Sequence, residues 1–183
     1  MEAKTKKVLL ISITASIATI FLAWGIWFFI YQSQFAVFKN ESYGLSMKYP
    51  RGWSANKDYQ GTAMMFISPK ESPLDVFQEN VNVAVQDLSA HPMDLKEFVD
   101  TASNQMTKVF KNISVVETRP TKVANTEAQR IVFEAKEPDQ LTMMVVCFMR
   151  DNEAYTITYA ARSFSYPRYY GLVRTMINSL TIN

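Results

Sequence analysis

LTMMVVCFMR, residues 141–150, holds the stretch that decides the fold, because it is apolar without a break from Met143 to Met149. Side chains along a strand point alternately to opposite faces, so a strand of this composition is apolar on both. Such a strand needs one layer above it and another below. Its flanks read as hairpins. DNE turns at 151–153, and AYTITYAAR returns at 154–162. Upstream, TEAQRIVFEAK at 126–136 sets Ile131, Phe133 and Ala135 on one face, and EPDQ at 137–140 is the tightest turn signal in the chain. Short turns make neighbouring strands antiparallel.

Two amphipathic helices supply the covering layers. Asp94 caps the first, with Glu97 three residues on, and Leu95, Phe98, Val99, Ala102, Met106, Val109 and Phe110 recur at helical spacing through to Lys111. Ser165 caps the second, 166–179, with Pro167 in its first turn. Tyr169 or Tyr170, Val173, Met176, Ile177 and Leu180 line its apolar side. Further strands are expected at 36–40, at 44–50 closed by Pro50, from Trp53, at 61–68, at 80–88 and at 113–119. A short return through Lys122, Val123 and Ala124 follows the last of these. The fold class is α+β: a three-layer α/β/α sandwich with a central antiparallel sheet, preceded by one transmembrane helix.

That helix is VLLISITASIATIFLAWGIWFFIY, residues 8–31, with no charged side chain. Twenty-four residues of helix reach roughly 36 Å, against a hydrocarbon core of about 30 Å. Trp24, Trp27 and Tyr31 mark its far end, and Lys4, Lys6 and Lys7 precede it. The positive-inside rule keeps those lysines in the cytoplasm. A cleaved signal peptide is the rival reading, with a weak cleavage pattern at Ser16 and Ala18, but strongly apolar sequence continues from Ile20 to Tyr31. The expected organisation is a cytoplasmic tip at 1–7, a single-pass signal anchor at 8–31 and an extracytoplasmic domain at 35–183.

Removing the tip's three lysines and Glu2 from the 19 basic and 17 acidic residues leaves 16 of each outside. A neutral domain lacks the basic excess of a nucleic-acid binder, so no nucleic-acid partner is expected. The lone Cys147 forms no intrachain disulfide and reads as a buried small hydrophobe. One cysteine and the single histidine, His91, exclude the common zinc sets. There is no Gly-x-Ser-x-Gly elbow and no Gly-rich phosphate loop, so no catalytic residue, metal or cofactor is expected.

Among the remaining motifs, Tyr49-Pro50 and Trp53 read as a core corner rather than a ligand platform. Met64-Met65 and Met143-Met144 cannot chelate, because adjacent strand residues point oppositely. FSYPRYYG, 164–171, groups four aromatics around an arginine, types enriched at interface hot spots. Tyr166, Arg168 and Tyr169 are its candidate partner-binding residues. Asn40-Glu41-Ser42 and Asn112-Ile113-Ser114 match the glycosylation sequon.

SYGLSMKYPRGW at 42–53 resembles the opening of PsbP-like domains, where a hairpin ends in a tyrosine–proline pair and a tryptophan follows. YYGLVRTMINSLTI at 169–182 resembles their last helix. The resemblance spans about 35–183 and implies an alpha-beta-alpha sandwich, an accessory role and an extracytoplasmic side. The best-known member of that family is an extrinsic photosystem II subunit; relatives in other organisms are mostly lipoproteins or membrane-anchored proteins. This chain departs from the photosynthetic subunit in its anchor, so photosynthesis is not carried over and no binding residue is transferred. The expected function is a membrane-tethered, non-catalytic binding or assembly module acting on another membrane or envelope protein, its other partner being the lipid bilayer through the anchor. The competing expectation is an enzyme or small-ligand binder using a cleft between sheet and helix.

Overall fold

The computed structural model describes residues 17, 19–26, 34–59, 61–110, 112–136 and 140–183. It comprises two compact units, Met1–Ala36 and Val37–Asn183. In the first, residues 17 and 19–26 are helical, with Ile20, Phe21, Leu22 and Trp24 exposed. The rest of the expected anchor at 8–31 lies outside the described residues, as does the tip at 1–7. Among the described residues no helix is long and apolar enough to cross a membrane.

Hairpins build the large sheet of the second unit. Its strands are β3 (Ser54–Tyr59), β4 (Thr62–Ile67), β5 (Asn80–Asp87), β6 (Ile113–Val123), β7 (Thr126–Ala135), β8 (Leu141–Arg150) and β9 (Glu153–Arg162). They lie in the order β3-β4-β5-β9-β8-β7-β6, every neighbour antiparallel. The β6–β7 turn uses Ala124 and Asn125, and the β8–β9 turn Asp151 and Asn152, all four at positive φ. Positive φ at both central residues is the turn whose twist matches a two-residue hairpin.

β8 is buried on both faces from Leu141 to Phe148. Met143, Val145 and Cys147 share a core with Ile131, Phe133, Phe98 and Val99, which places α1 (Leu95–Val109) on that face. Met144 lies opposite Tyr159 of β9 on the other face. There the Tyr159 ring stacks on Tyr166 at 4.9 Å, so α2 (Tyr166–Asn178) covers that side. Each aliphatic or aromatic side chain so buried contributes about 1.5–3 kcal/mol. The helices thus lie on opposite faces of an antiparallel sheet, in a mixed α+β fold.

Several elements differ from the sequence reading. Not all strands join one sheet: β1 (Phe35–Asn40), β2 (Leu45–Pro50) and the short β10 (Thr181–Ile182) form a separate three-stranded sheet. It packs on the α2 side, where Tyr49 of β2 stacks on Phe66 of β4 at 5.3 Å. β6 does not stop at Arg119 but runs through Pro120 to Val123. It is the outermost strand, where a residue without an N–H is tolerated. Asp94 caps α1 as expected, its Oδ1 accepting from the Glu97 N–H at 2.8 Å. Ser165 does not cap α2 through its side chain. Its hydroxyl donates instead to buried Glu79 at 2.5 Å.

Candidate functional site

α1 touches the sheet unevenly. Its buried side chains, Phe98 and Val99, lie in its first half, whereas Val109 near its end is 72% exposed. A cleft of about 350 Å³ opens between the second half of the helix and the sheet. Ile131, Phe133 and Val145 form its apolar floor, which continues over Thr156 and Thr158 of β9 to Ala84 of β5. Met106 and Val109 form part of the helical wall, and Gln86, Ser103 and Gln105 add neutral polar groups. Among the described residues no lining side chain is ionisable near neutral pH. A serine or threonine hydroxyl without an adjacent base is a weak nucleophile, and the described lining is that of a site for a neutral, largely apolar group.

The candidate residues at 164–171 do not converge on one point. Tyr169 is buried, set edge-on to Trp53 at 5.7 Å, and its hydroxyl donates to Glu71 at 2.8 Å. Burial and then that carboxylate push its phenol up to about 12. Arg168 is exposed, pairs with the same Glu71 oxygen at 2.7 Å and lies 5.4 Å from the Tyr169 ring centroid. Tyr166 is half-buried between the rings of Tyr159 and Tyr170, its phenol also raised to about 12, chiefly by burial. The exposed aromatic of this segment is Phe164, at 75%. Arg168 and Phe164 are therefore the available surface, with Tyr169 behind.

Beyond Tyr170 the structure gathers residues that the sequence reading did not single out. Arg130 Nη1 donates to Tyr170 Oη at 2.6 Å, and Arg130 also pairs with Glu117. Burial works against the Arg130 cation, but the bonds to Glu117 and Tyr170 raise its pKa on balance. Arg119 shares Glu117 at 3.0 Å.

The other sequence candidates settle into structural places. Trp53 and Pro50 are buried, as a core corner requires. Met143 and Met144 are both buried, on opposite faces. Cys147 is fully buried and its thiol is pushed up to about 11, mainly by desolvation. His91 is exposed. Asn40 of the first sequon is buried, donates to the Ala63 carbonyl at 2.7 Å and accepts from the Ser42 N–H, so it has no room for a glycan in the folded domain. Asn112 of the second is exposed. Among the described residues no group of three His, Cys, Asp or Glu side chains could hold a metal ion.

The chain belongs to the PsbP-like protein family, whose pattern it matches over residues 31–182. The two segments that carried the resemblance meet in space: Lys48 N–H donates to Ser179 Oγ at 2.9 Å, and Thr181 pairs with Ser46. In fold the domain is similar to cyanobacterial PsbP (CyanoP) from Synechocystis sp., 12% identical with a TM-score of 0.62, over 82% of this chain and 93% of that one. It is also similar to LpqN of Mycobacterium tuberculosis, a protein involved in cell envelope biogenesis, 9% identical with a TM-score of 0.61, over 81% and 90% of the two chains. A third similar structure is PA94 from Pseudomonas aeruginosa, a putative regulator of unknown function, 12% identical with a TM-score of 0.57, over 82% and 98%. No curated protein matches the chain in sequence.

Proposed function

We propose that this chain is a membrane-tethered, non-catalytic, extracytoplasmic binding or assembly module that acts on another membrane or envelope protein. The observation that carries the reading is the match to the PsbP-like family over residues 31–182; the described lining of the cleft beneath α1, which has no ionisable group, lends catalysis no support. The tether is the uncharged stretch 8–31, with the lysines of the 1–7 tip holding the amino terminus in the cytoplasm and the domain at 35–183 outside. The PsbP-like fold shared with LpqN, an envelope-biogenesis protein, supports the same side of the membrane. The partner surface is centred on Arg168 and Phe164, with Tyr166 and Tyr169 fixing its shape.

Photo-crosslinking from positions 164 and 168 in cells, followed by identification of captured proteins, tests the partner. The expected result is one membrane or envelope protein, lost in Arg168→Glu. Failure to recover a specific protein under several growth conditions would sink the assignment. External protease should degrade the domain and spare the tip; a shortened chain released by a salt wash would remove the tether.

The cleft itself favours a second reading, in which the module holds a small neutral ligand between sheet and helix. Placing a bulky side chain there, Ala102→Trp, should then abolish function while leaving the fold intact.

A further inference from the structure

Three guanidinium groups gather on the sheet face beneath α2. Arg119 of β6 and Arg130 of β7 are register partners, so their side chains leave the sheet side by side on the same face. Arg130 is in turn paired with Val146 of β8. The third, Arg174, comes from α2. Arg130 and Arg174 lie 5.8 and 6.0 Å from the centroid of the Tyr170 ring. These groups line a pocket of about 310 Å³ with Met144 and Val146 among its apolar residues.

The charges here do not balance. Glu117 is the acid paired within the cluster, shared by Arg119 and Arg130. Arg174 has no ion pair among the described residues. Lys122 also lines the pocket but stands opposite Glu127 in the register, so its charge is set aside. Three cations against one anion leave an excess of two positive charges. The carboxy-terminal end of α2 contributes about half a negative charge, which does not cancel it. Like charges directly opposite each other in a sheet are destabilising. A domain with 16 residues of each sign has no compositional need to accept that cost. In addition, the Arg130 side chain is 11% exposed, and its buried Nε has no hydrogen-bond partner among the described residues. A buried donor left unmet destabilises the fold, and a ligand oxygen would relieve it.

We propose that this pocket binds a phosphomonoester, as a free small molecule or as the headgroup of a lipid. A phosphomonoester carries about −1.5 to −2 at neutral pH and three strong acceptor oxygens, which match the excess charge and the planar guanidinium forks. The Tyr170 ring and the apolar residues receive the organic part. The site is on the sheet face away from the cleft under α1, and its existence is independent of the protein partner proposed above.

The test is calorimetric titration of the full chain in neutral detergent with glycerol 3-phosphate and, separately, with dihexanoyl phosphatidic acid. Saturable binding of either at one site per chain is expected, and the tighter of the two identifies the source. Arg174→Ala should weaken binding by about tenfold or more, and Arg119→Ala with Arg174→Ala by about a hundredfold. Both side chains are exposed, so circular dichroism should be unchanged. If the double variant loses its native spectrum, Arg174→Gln alone carries the test, with the same tenfold loss. Absence of binding at millimolar ligand, unchanged affinity in the folded variants, or equal affinity for acetate would each overturn the proposal.

Discussion

Replacing Gly44 by alanine tests how the small sheet is held together. Gly44 follows the 3-10 turn Glu41–Tyr43 at φ 62°, ψ 20°. A left-handed backbone costs a residue with a Cβ about 1–2 kcal/mol. Space adds a second cost, because a Cβ at Gly44 would stand 2.7 Å from the Asn183 carbonyl oxygen. That oxygen belongs to the backbone, so relief requires moving the strand end. The movement threatens the Asn183 N–H···O=C Gly44 bond at 3.0 Å and, next to it, the pairing of Ile182 with Leu45. Each hydrogen bond contributes about 0.5–1.5 kcal/mol, so the expected total is about 2–4 kcal/mol. Gly61→Ala is the matched control: its φ is 80°, but nothing lies within 4 Å of the added Cβ, so it carries the backbone cost alone. At about 2–4 °C per kcal/mol for a domain of this size, Gly44→Ala should lower Tm by roughly 4–16 °C and Gly61→Ala by roughly 2–8 °C. Thermal melts by circular dichroism on the full chain read both. The reasoning is refuted if the two variants lose the same stability, or if deleting Asn183 fails to bring the cost at Gly44 down to that at Gly61.

Three further outcomes are expected. The Cys147 thiol, raised to about 11 by burial, stays neutral in the folded state where the unfolded chain ionises. Its contribution is therefore complete below the unfolded pKa and is lost as pH rises toward 11, so urea titrations at pH 8 and pH 10.5 should differ by about 2 kcal/mol less in Cys147→Ala. Glu79, 2% exposed, accepts from Ser68 Oγ at 3.1 Å and Ser165 Oγ at 2.5 Å. Glu79→Ala should cost about 2–4 kcal/mol in urea midpoint and Glu79→Gln clearly less, since the amide keeps the shape and one acceptor. His91→Ala should change stability by under about 0.5 kcal/mol and leave partner capture intact, because the side chain is exposed on a loop; a folded but inactive variant would restore a catalytic reading.

What was legible in the sequence follows from how far each signal reaches along the chain. Met143 to Met149 announces a doubly covered strand by itself, and Asp94 with Glu97 announces a helix start, because both patterns are complete within one segment. β10 has two residues, too few for any periodicity, and exists through its pairing with β2 from the other end of the domain. The sequence offers a cleft between sheet and helix as a place but not its lining, since Ala84 and Thr156 meet through a β5–β9 pairing that no local pattern encodes. Ser165 reads as a helix cap by position, yet Glu79, 86 residues away, takes its hydroxyl. The arginine pocket is the instructive case. Ending the strand at Arg119 before Pro120 treats proline as a breaker, which holds inside a sheet and fails on its edge strand. Had Ala124-Asn125 been taken as a two-residue turn, the register would have followed. Arg119 stands five residues before the turn and Arg130 five after it, so the two must face each other. The bulge at Val115/Glu117 disturbs that count only beyond Glu117, farther from the turn than Arg119. Two arginines forced onto one face, with one nearby glutamate between them, are then a charge problem written in the sequence, and an anionic ligand is its simplest physical solution.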